Sequence, residues 1–281
     1  MATDSSPGSQ PGGQPGNQPG RGTRRLLAAL EPLRAGLEFA SLGATAGPLL
    51  LAPRGDGHRV LVLPGLGGGD GSTAPLRHYL SFLGYTALPW ELGTNRGITR
   101  MWPELTGRMH AILDPLDRNE TVSLVGWSLG GTLALGLSFA LPRRIRRVIT
   151  LGSPQVPASG IAAPWIRAGY RMMNATRVGF ADLLDDWPLP RKAPPHTAIF
   201  SKSDAVVPWS LAMGGDEVAE RIEVLGSHLG LGVNPAVLYA VADRLAARGD
   251  APFVPPLLLT ALYPPANPSA VARTGTSASR P

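Results

Sequence analysis

Thr121-Val122-Ser123-Leu124-Val125-Gly126-Trp127-Ser128-Leu129-Gly130-Gly131-Thr132-Leu133 joins a β-branched run to a glycine-rich turn around Ser128. It opens a run of 22 positions, 121–142, without a charged side chain. Length alone nominates a transmembrane helix, and Gly126 and Gly130 stand in GxxxG spacing. Thr121, Val122 and Val125 favour a strand instead. The run also holds four glycines and three serines and lacks the Leu/Ile/Phe density of a lipid-facing span. A buried strand, a sharp turn and a buried helix account for it better.

Gly126-Trp127-Ser128-Leu129-Gly130 is a G-x-S-x-G. A serine on a sharp strand-to-helix turn is forced into strained backbone geometry, and residues two positions away must be small for the turn to close. The following helix points its positive end at the serine and favours negative charge developing there. In a chain with 35 glycines the motif alone carries little weight. Its context carries it: a strand before, a helix after, and Gly131 for close helix–sheet packing.

Outward from this turn the periodicity alternates. Residues 58–64 (HRVLVLP), 85–90, 121–125, 147–151, 196–201 and 221–225 read as strands. Helical spacing appears over 76–83, 101–116, 130–141 and 235–247. Strands alternating with helices predict an α/β fold with a mostly parallel central sheet covered by helices on both faces. Residues 23–263 are expected to form that one domain, with residues 154–195 inserted as a cap.

Composition narrows the function. The chain has 281 residues and no cysteine, which excludes disulfides, Cys-ligated metals and a thiol nucleophile. Of the net charge of +6, four units fall in residues 1–25 and 264–281, and no stretch alternates arginine with aromatics. No nucleic-acid partner is expected. The Pro-Gly-x-Gln repeat between Pro7 and Gln18 offers no large side chain to offset the entropy of ordering. Residues 1–22 and 264–281 are therefore expected to be disordered tails. The first segment lacks the pattern of a signal peptide, so a cytoplasmic location is expected.

A serine nucleophile needs a base, and the base an orienting acid. His228 lies three residues beyond the strand-like 221–225, in Gly-Ser-His-Leu-Gly. His58 precedes its strand, His78 and His110 fall in helical patterns, and His196 opens a strand. Asp204 follows a strand, in Phe200-Ser201-Lys202-Ser203-Asp204; Asp216 is its rival. The order Ser128, Asp204, His228 is the Ser…Asp…His order of one fold among the known triads. Acyl transfer also requires donors aimed at the developing oxyanion. The turn Pro64-Gly65-Leu66-Gly67-Gly68-Gly69 can supply one, so the expected pair is the backbone N–H of Leu66 and of Leu129.

The same turn supports a rival. Gly69-Asp70-Gly71-Ser72-Thr73-Ala74 matches G-x-G-x-x-A, and Glu91 lies 20 residues after Gly71, where a ribose-binding acid would sit. Several residues separate the first glycine from its strand, however, and a dinucleotide site leaves Ser128, Asp204 and His228 without a role.

With these residues in hand, the chain resembles the α/β-hydrolase superfamily, most closely its bacterial lipase- and esterase-like members, over residues 45–247. The carriers are VLVLPGLGGG, LRHYLSFLGYTALPWELGTNRG, GWSLGG, SKSDAVVPWS and GSHLGLGVNPAVL. The resemblance implies serine-dependent hydrolysis of esters with Ser128 as nucleophile, His228 as base, Asp204 as its partner, and no cofactor or metal. Many lipase-like members carry His-Gly at the oxyanion turn; this chain has Pro64-Gly65. An acyltransferase, a thioesterase or a non-catalytic protein on the same fold are the alternatives.

Trp165, Met172 and Met173 in the expected cap, with Trp127 beside the serine, are expected to bind a hydrophobic ester substrate. Leu26, Leu30, Leu33, Leu37 and Ala40 are helix-spaced and are expected to pack on the body. Arg24, Arg25 and Arg34 leave a peripheral membrane contact as the alternative.

Overall fold

A computed structural model describes residues 21–155, 194–214, 218–249 and 251–264. Residues 1–20 and 265–281 of the expected tails, most of the expected cap with Trp165, Met172 and Met173, and the rival acid Asp216 lie outside the described residues.

Among the described residues, six strands form one wholly parallel sheet. They are β1 (Arg59–Leu63), β2 (Thr86–Leu88), β3 (Val122–Trp127), β4 (Ile145–Leu151), β5 (His196–Phe200) and β6 (Glu220–Glu223). The helices are α1 (Arg21–Ala44), α2 (Ala46–Leu50), α3 (Asp70–Phe82), α4 (Ile98–Leu113), α5 (Leu129–Ala140), α6 (Trp209–Ala212) and α7 (Pro235–Ala246). The 22-position uncharged run is thus β3, a turn and α5. No described helix is long and apolar enough to cross a membrane.

Each central strand has a buried side on both faces because successive side chains alternate. In β1, Val60 and Val62 join the core under α3 and α7, with Leu76, Leu80, Val237 and Val241. Leu61 and Leu63 point the other way, toward Leu105 and Met109 of α4 and Leu133 and Leu137 of α5. The strand order is β2-β1-β3-β4-β5-β6, so the winding direction reverses between β1 and β3. At such a reversal the two chains leave the sheet in opposite directions and open a crevice at the strands' carboxyl ends. The glycine turn after β1 and Ser128 after β3 both sit there.

Two expectations are corrected. The helix read over 76–83 starts at Asp70, straight after the glycine turn. Gly69, Gly71 and Pro75 are poor helix formers and hide its first turns, while the Asp70 carboxylate accepts the Trp90 and Glu91 N–H groups. The leucine stripe of α1 does not pack on the body. Leu26, Leu30, Leu33 and Leu37 are between 38% and 62–64% exposed. The helix packs through its polar side, which carries Glu31, Arg34 and Glu38. It also begins at Arg21, two residues inside the segment expected to be a tail.

His196 at the start of β5 is buried, with the Thr150 hydroxyl on its Nε2. Burial, helped by the Arg221 charge, pushes its pKa down from 6.5 to about 4. The unfolded chain therefore binds a proton that the folded chain refuses between those values. Stability should fall as pH drops through that window, by about 3 kcal/mol in total. Urea unfolding at pH 7 and pH 4.5 checks this: the pH-dependent loss should shrink by most of that amount in His196→Gln. An unchanged loss would remove His196 from the account.

Candidate active site

Ser128 sits between β3 and α5 with φ 52° and ψ −125°, a left-handed conformation costly for a residue with a Cβ. Its neighbours make room. A Cβ on Gly126 would lie 2.4 Å from the Gly130 carbonyl, and one on Gly130 would lie 2.3 Å from the Leu63 carbonyl of β1. The Ser128 N–H donates to the Leu151 carbonyl at 2.8 Å, which pins the turn to β4. The serine is half-buried, so its hydroxyl is held yet reachable.

His228 and Asp204 arrive on the loops that follow β6 and β5. The Ser128 hydroxyl donates to His228 Nε2 at 3.0 Å, and His228 Nδ1–H donates to Asp204 Oδ2 at 2.7 Å. The other Asp204 oxygen accepts the N–H groups of Val206 and Val207 at 2.7 and 2.8 Å. With one oxygen fixed by the backbone, the other is aimed at the imidazole. It holds the proton on Nδ1 and leaves the Nε2 lone pair toward the serine. Asp204 and His228 are both buried. The Trp127 indole N–H donates to the His228 carbonyl at 3.1 Å, so this side chain braces the loop that carries His228.

The turn after β1 lies against the serine: a Cβ on Gly65 would be 3.1 Å from the Ser128 Cβ. Leu66 is the next residue, and Leu129 opens α5, where the first N–H groups have no acceptor within the helix. Asn95, which went unnoticed in the sequence, locks that turn. Its carbonyl accepts from Gly67 N–H, its N–H donates to the Gly68 carbonyl, and its side-chain amide donates to the Pro64 carbonyl at 2.8 Å. The signal available was only an asparagine in Gly93-Thr94-Asn95-Arg96-Gly97, a pattern shared by ordinary loops. Glu91, the acid of the dinucleotide alternative, instead pairs with Arg108 at 2.9 Å.

A second relay of the same residue types lies at the opposite end of the sheet. His58 Nδ1–H donates to Asp56, and the Ser123 hydroxyl donates to His58 Nε2 at 2.9 Å. Ser123 is 1% exposed within β3 and cannot meet a substrate. Asp56 also pairs with Arg146, and burial lowers the His58 pKa. This relay ties the amino ends of β1 and β3 to β4. The pattern of hydrogen bonds is the same; access and position separate the two.

No family model matches the chain, and neither does any curated protein. Among solved structures it resembles a histidine-to-alanine variant of polyneuridine aldehyde esterase, with TM-score 0.51 and 13% identity, over 68% of this chain and 100% of that one. The chain has the α/β-hydrolase fold. Tomato methylketone synthase I with bound 2-tridecanone aligns at TM-score 0.49 and 13% identity, over 68% and 98% of the two chains. An Arabidopsis methylesterase aligns at 0.47 and 14%, over 66% and 97%. In this α/β-hydrolase fold, Ser128, His228 and Asp204 come together from three separate loops at the carboxyl edge of the sheet.

The elbow makes a stability prediction. Gly130→Ala drives a Cβ into backbone carbonyls that cannot move without shifting β1, and should cost about 3 kcal/mol or prevent folding. Gly71→Ala, in α3 with open space around it, should be neutral or stabilising by up to about 1 kcal/mol. Chemical denaturation of both variants measures the contrast; equal stabilities would contradict the packing.

Proposed function

We propose that the protein is a serine hydrolase of carboxylic esters with an apolar acyl group. The observation that carries this reading is the continuous relay from Ser128 through His228 to Asp204, set on a strained elbow at the point where the sheet's winding reverses. The Ser128 hydroxyl gives its proton to His228 Nε2 as the oxygen attacks the ester carbonyl carbon. The resulting oxyanion is held by the N–H groups of Leu66 and Leu129. His228 then returns the proton to the departing alcohol, leaving an acyl-serine. Water deprotonated by the same imidazole attacks that acyl group, and the proton passes back to Ser128. Asp204 stays ionised and stabilises the imidazolium formed in each half-reaction.

Apolar preference is supported by Trp127 beside the serine, whose ring lies 6.3 Å from that of His228. Each acyl methylene that leaves water contributes about 0.8 kcal/mol, or about fourfold in kcat/KM, until the pocket is full. The test has two parts. A fluorophosphonate probe should label the wild type and Ser123→Ala, and should fail on Ser128→Ala; Asp204→Asn should lose about three to four orders of magnitude in kcat. A p-nitrophenyl ester series should show kcat/KM rising with acyl length. Labelling that survives in Ser128→Ala overturns the nucleophile, and a flat series overturns the apolar substrate.

The outward leucines of α1 support a place to meet such substrates. Both acids of the helix turn their carboxylates inward, so its outer face presents leucines, with Arg25 exposed at the helix's amino end. That combination fits the surface of an anionic bilayer. Wild-type protein should co-sediment with phosphatidylserine-containing vesicles, less with purely zwitterionic ones, and Leu30→Glu/Leu37→Glu should abolish binding. A wild type that stays in solution with both would rule the contact out.

A further inference from the structure

The polar face of α1 reaches the two loops that carry the base and the acid. Glu31 is only 3% exposed. Its Oε1 accepts the Ala205 N–H at 3.2 Å, and its Oε2 accepts the Leu229 N–H at 2.9 Å. Ala205 is the residue after Asp204, and Leu229 the residue after His228. One carboxylate therefore holds the chain immediately beyond each of the two residues that must meet at 2.7 Å.

The surroundings are built for this carboxylate. Arg34, one turn along the helix, donates to Glu31 at 3.4 Å, to the Ser203 carbonyl at 3.0 Å and to the Ser203 hydroxyl at 2.8 Å. It offsets the buried charge while gripping the acid loop. Ser201 and Ser203 donate their hydroxyls to the Gly226 carbonyl at 2.7 and 2.9 Å, a second tie between the two loops. Glu38, one turn further along the same face, accepts the Ser227 N–H at 2.7 Å and the Asn234 side-chain amide at 2.8 Å. Gly230 leaves space for it, since a Cβ there would lie 2.3 Å from the Glu38 carboxylate. Glu38 thus steadies the base loop alone, whereas Glu31 spans both.

We propose that Glu31 is a positioning residue: its carboxylate sets the distance and angle between Asp204 and His228 by bonding the N–H group that follows each. This rests on the hydrolase reading above. It requires two acceptor oxygens, which is why glutamine cannot substitute. Glutamine has nearly the same shape, but its amide NH2 would face one of the two N–H donors and leave it unpaired. Misalignment weakens the stabilisation of the imidazolium, a cost felt in the transition state more than in ground-state binding.

Glu31→Gln should lower kcat on a short p-nitrophenyl ester about ten- to hundredfold, with KM little changed. Fluorophosphonate labelling should slow by a similar factor at a temperature where the variant remains folded. The decisive readout is a double-mutant cycle. If Glu31 acts through the Asp204–His228 contact, adding Glu31→Gln to Asp204→Asn should cost little more, because the contact it tunes is already lost. A general structural role would cost its full factor in either background. Hydrogen exchange gives a second readout independent of turnover: residues 203–207 and 226–231 should loosen together in Glu31→Gln, whereas Glu38→Gln should loosen only the second. Wild-type kcat in Glu31→Gln, full additivity with Asp204→Asn, or unchanged exchange in both loops overturns the proposal. If wild-type protein itself is unreactive to the probe, the hydrolase reading fails, and the exchange pattern alone still decides whether Glu31 ties the two loops.

Discussion

The contact between Gly130 and the Leu63 carbonyl is the constraint on which the site depends. It brings the first turn of α5 against the last residue of β1, at the seam where the sheet's winding reverses. Only that approach lets the turn after β1 lie beside Ser128, and only a chain without side chains at 126 and 130 permits it. The strain at Ser128 is the other half of the same arrangement. A φ of 52° costs free energy that a relaxed turn would not, and the packed core on both faces of β3 supplies it. The Ser128 hydroxyl is thereby held at the sheet edge, where His228 reaches it from the loop after β6.

The sheet and the three residues of the relay were legible in the sequence for a physical reason. Strands buried on both faces must be apolar at successive positions, and β1 and β3 therefore stand out as VLVL and VSLV. A tight elbow must use glycine, so the serine announced itself through its neighbours. The loops carrying Asp204 and His228 follow identifiable strands, and chain order then separated them from other acids and histidines. The start of α3 was obscured for the converse reason: its glycines and Pro75 disguise helix as loop.

The orientation of α1 was not legible. Its leucines and its Glu31, Arg34 and Glu38 define opposite faces, and helical periodicity finds both without saying which turns inward. Apolar burial argues for the leucines. The structure follows a stronger local demand: the loops after β5 and β6 present N–H groups to this helix that need acceptors, and a buried donor left unpaired is costly. Once Ala205, Ser227 and Leu229 present donors on one side, carboxylates belong there and the leucines are left outside. Those donors exist only in the folded loops, so no window of sequence around α1 contains the information. Asn95 was hidden in the same way, because its partners Pro64, Gly67 and Gly68 lie more than 25 residues upstream.

The two Ser–His–Asp relays show what residue types and hydrogen bonds leave undetermined. Both have a carboxylate on Nδ1 and a serine hydroxyl on Nε2, with nearly equal serine distances of 2.9 and 3.0 Å. Ser123 lies within β3, where the register with β4 shifts between Val122 and Ser123, and its relay closes on Arg146 at the amino edge. Ser128 follows its strand in a left-handed turn, caps the start of α5, and borders the crevice at the carboxyl edge. A hydroxyl needs three things to become a nucleophile: a base, room for an electrophile, and donors for the charge that appears on it. The His58 relay offers an imidazole alone. The Ser128 relay lies where the reversal of the sheet, the glycine elbow and the helix start all meet, which is why the proposed reaction is placed there.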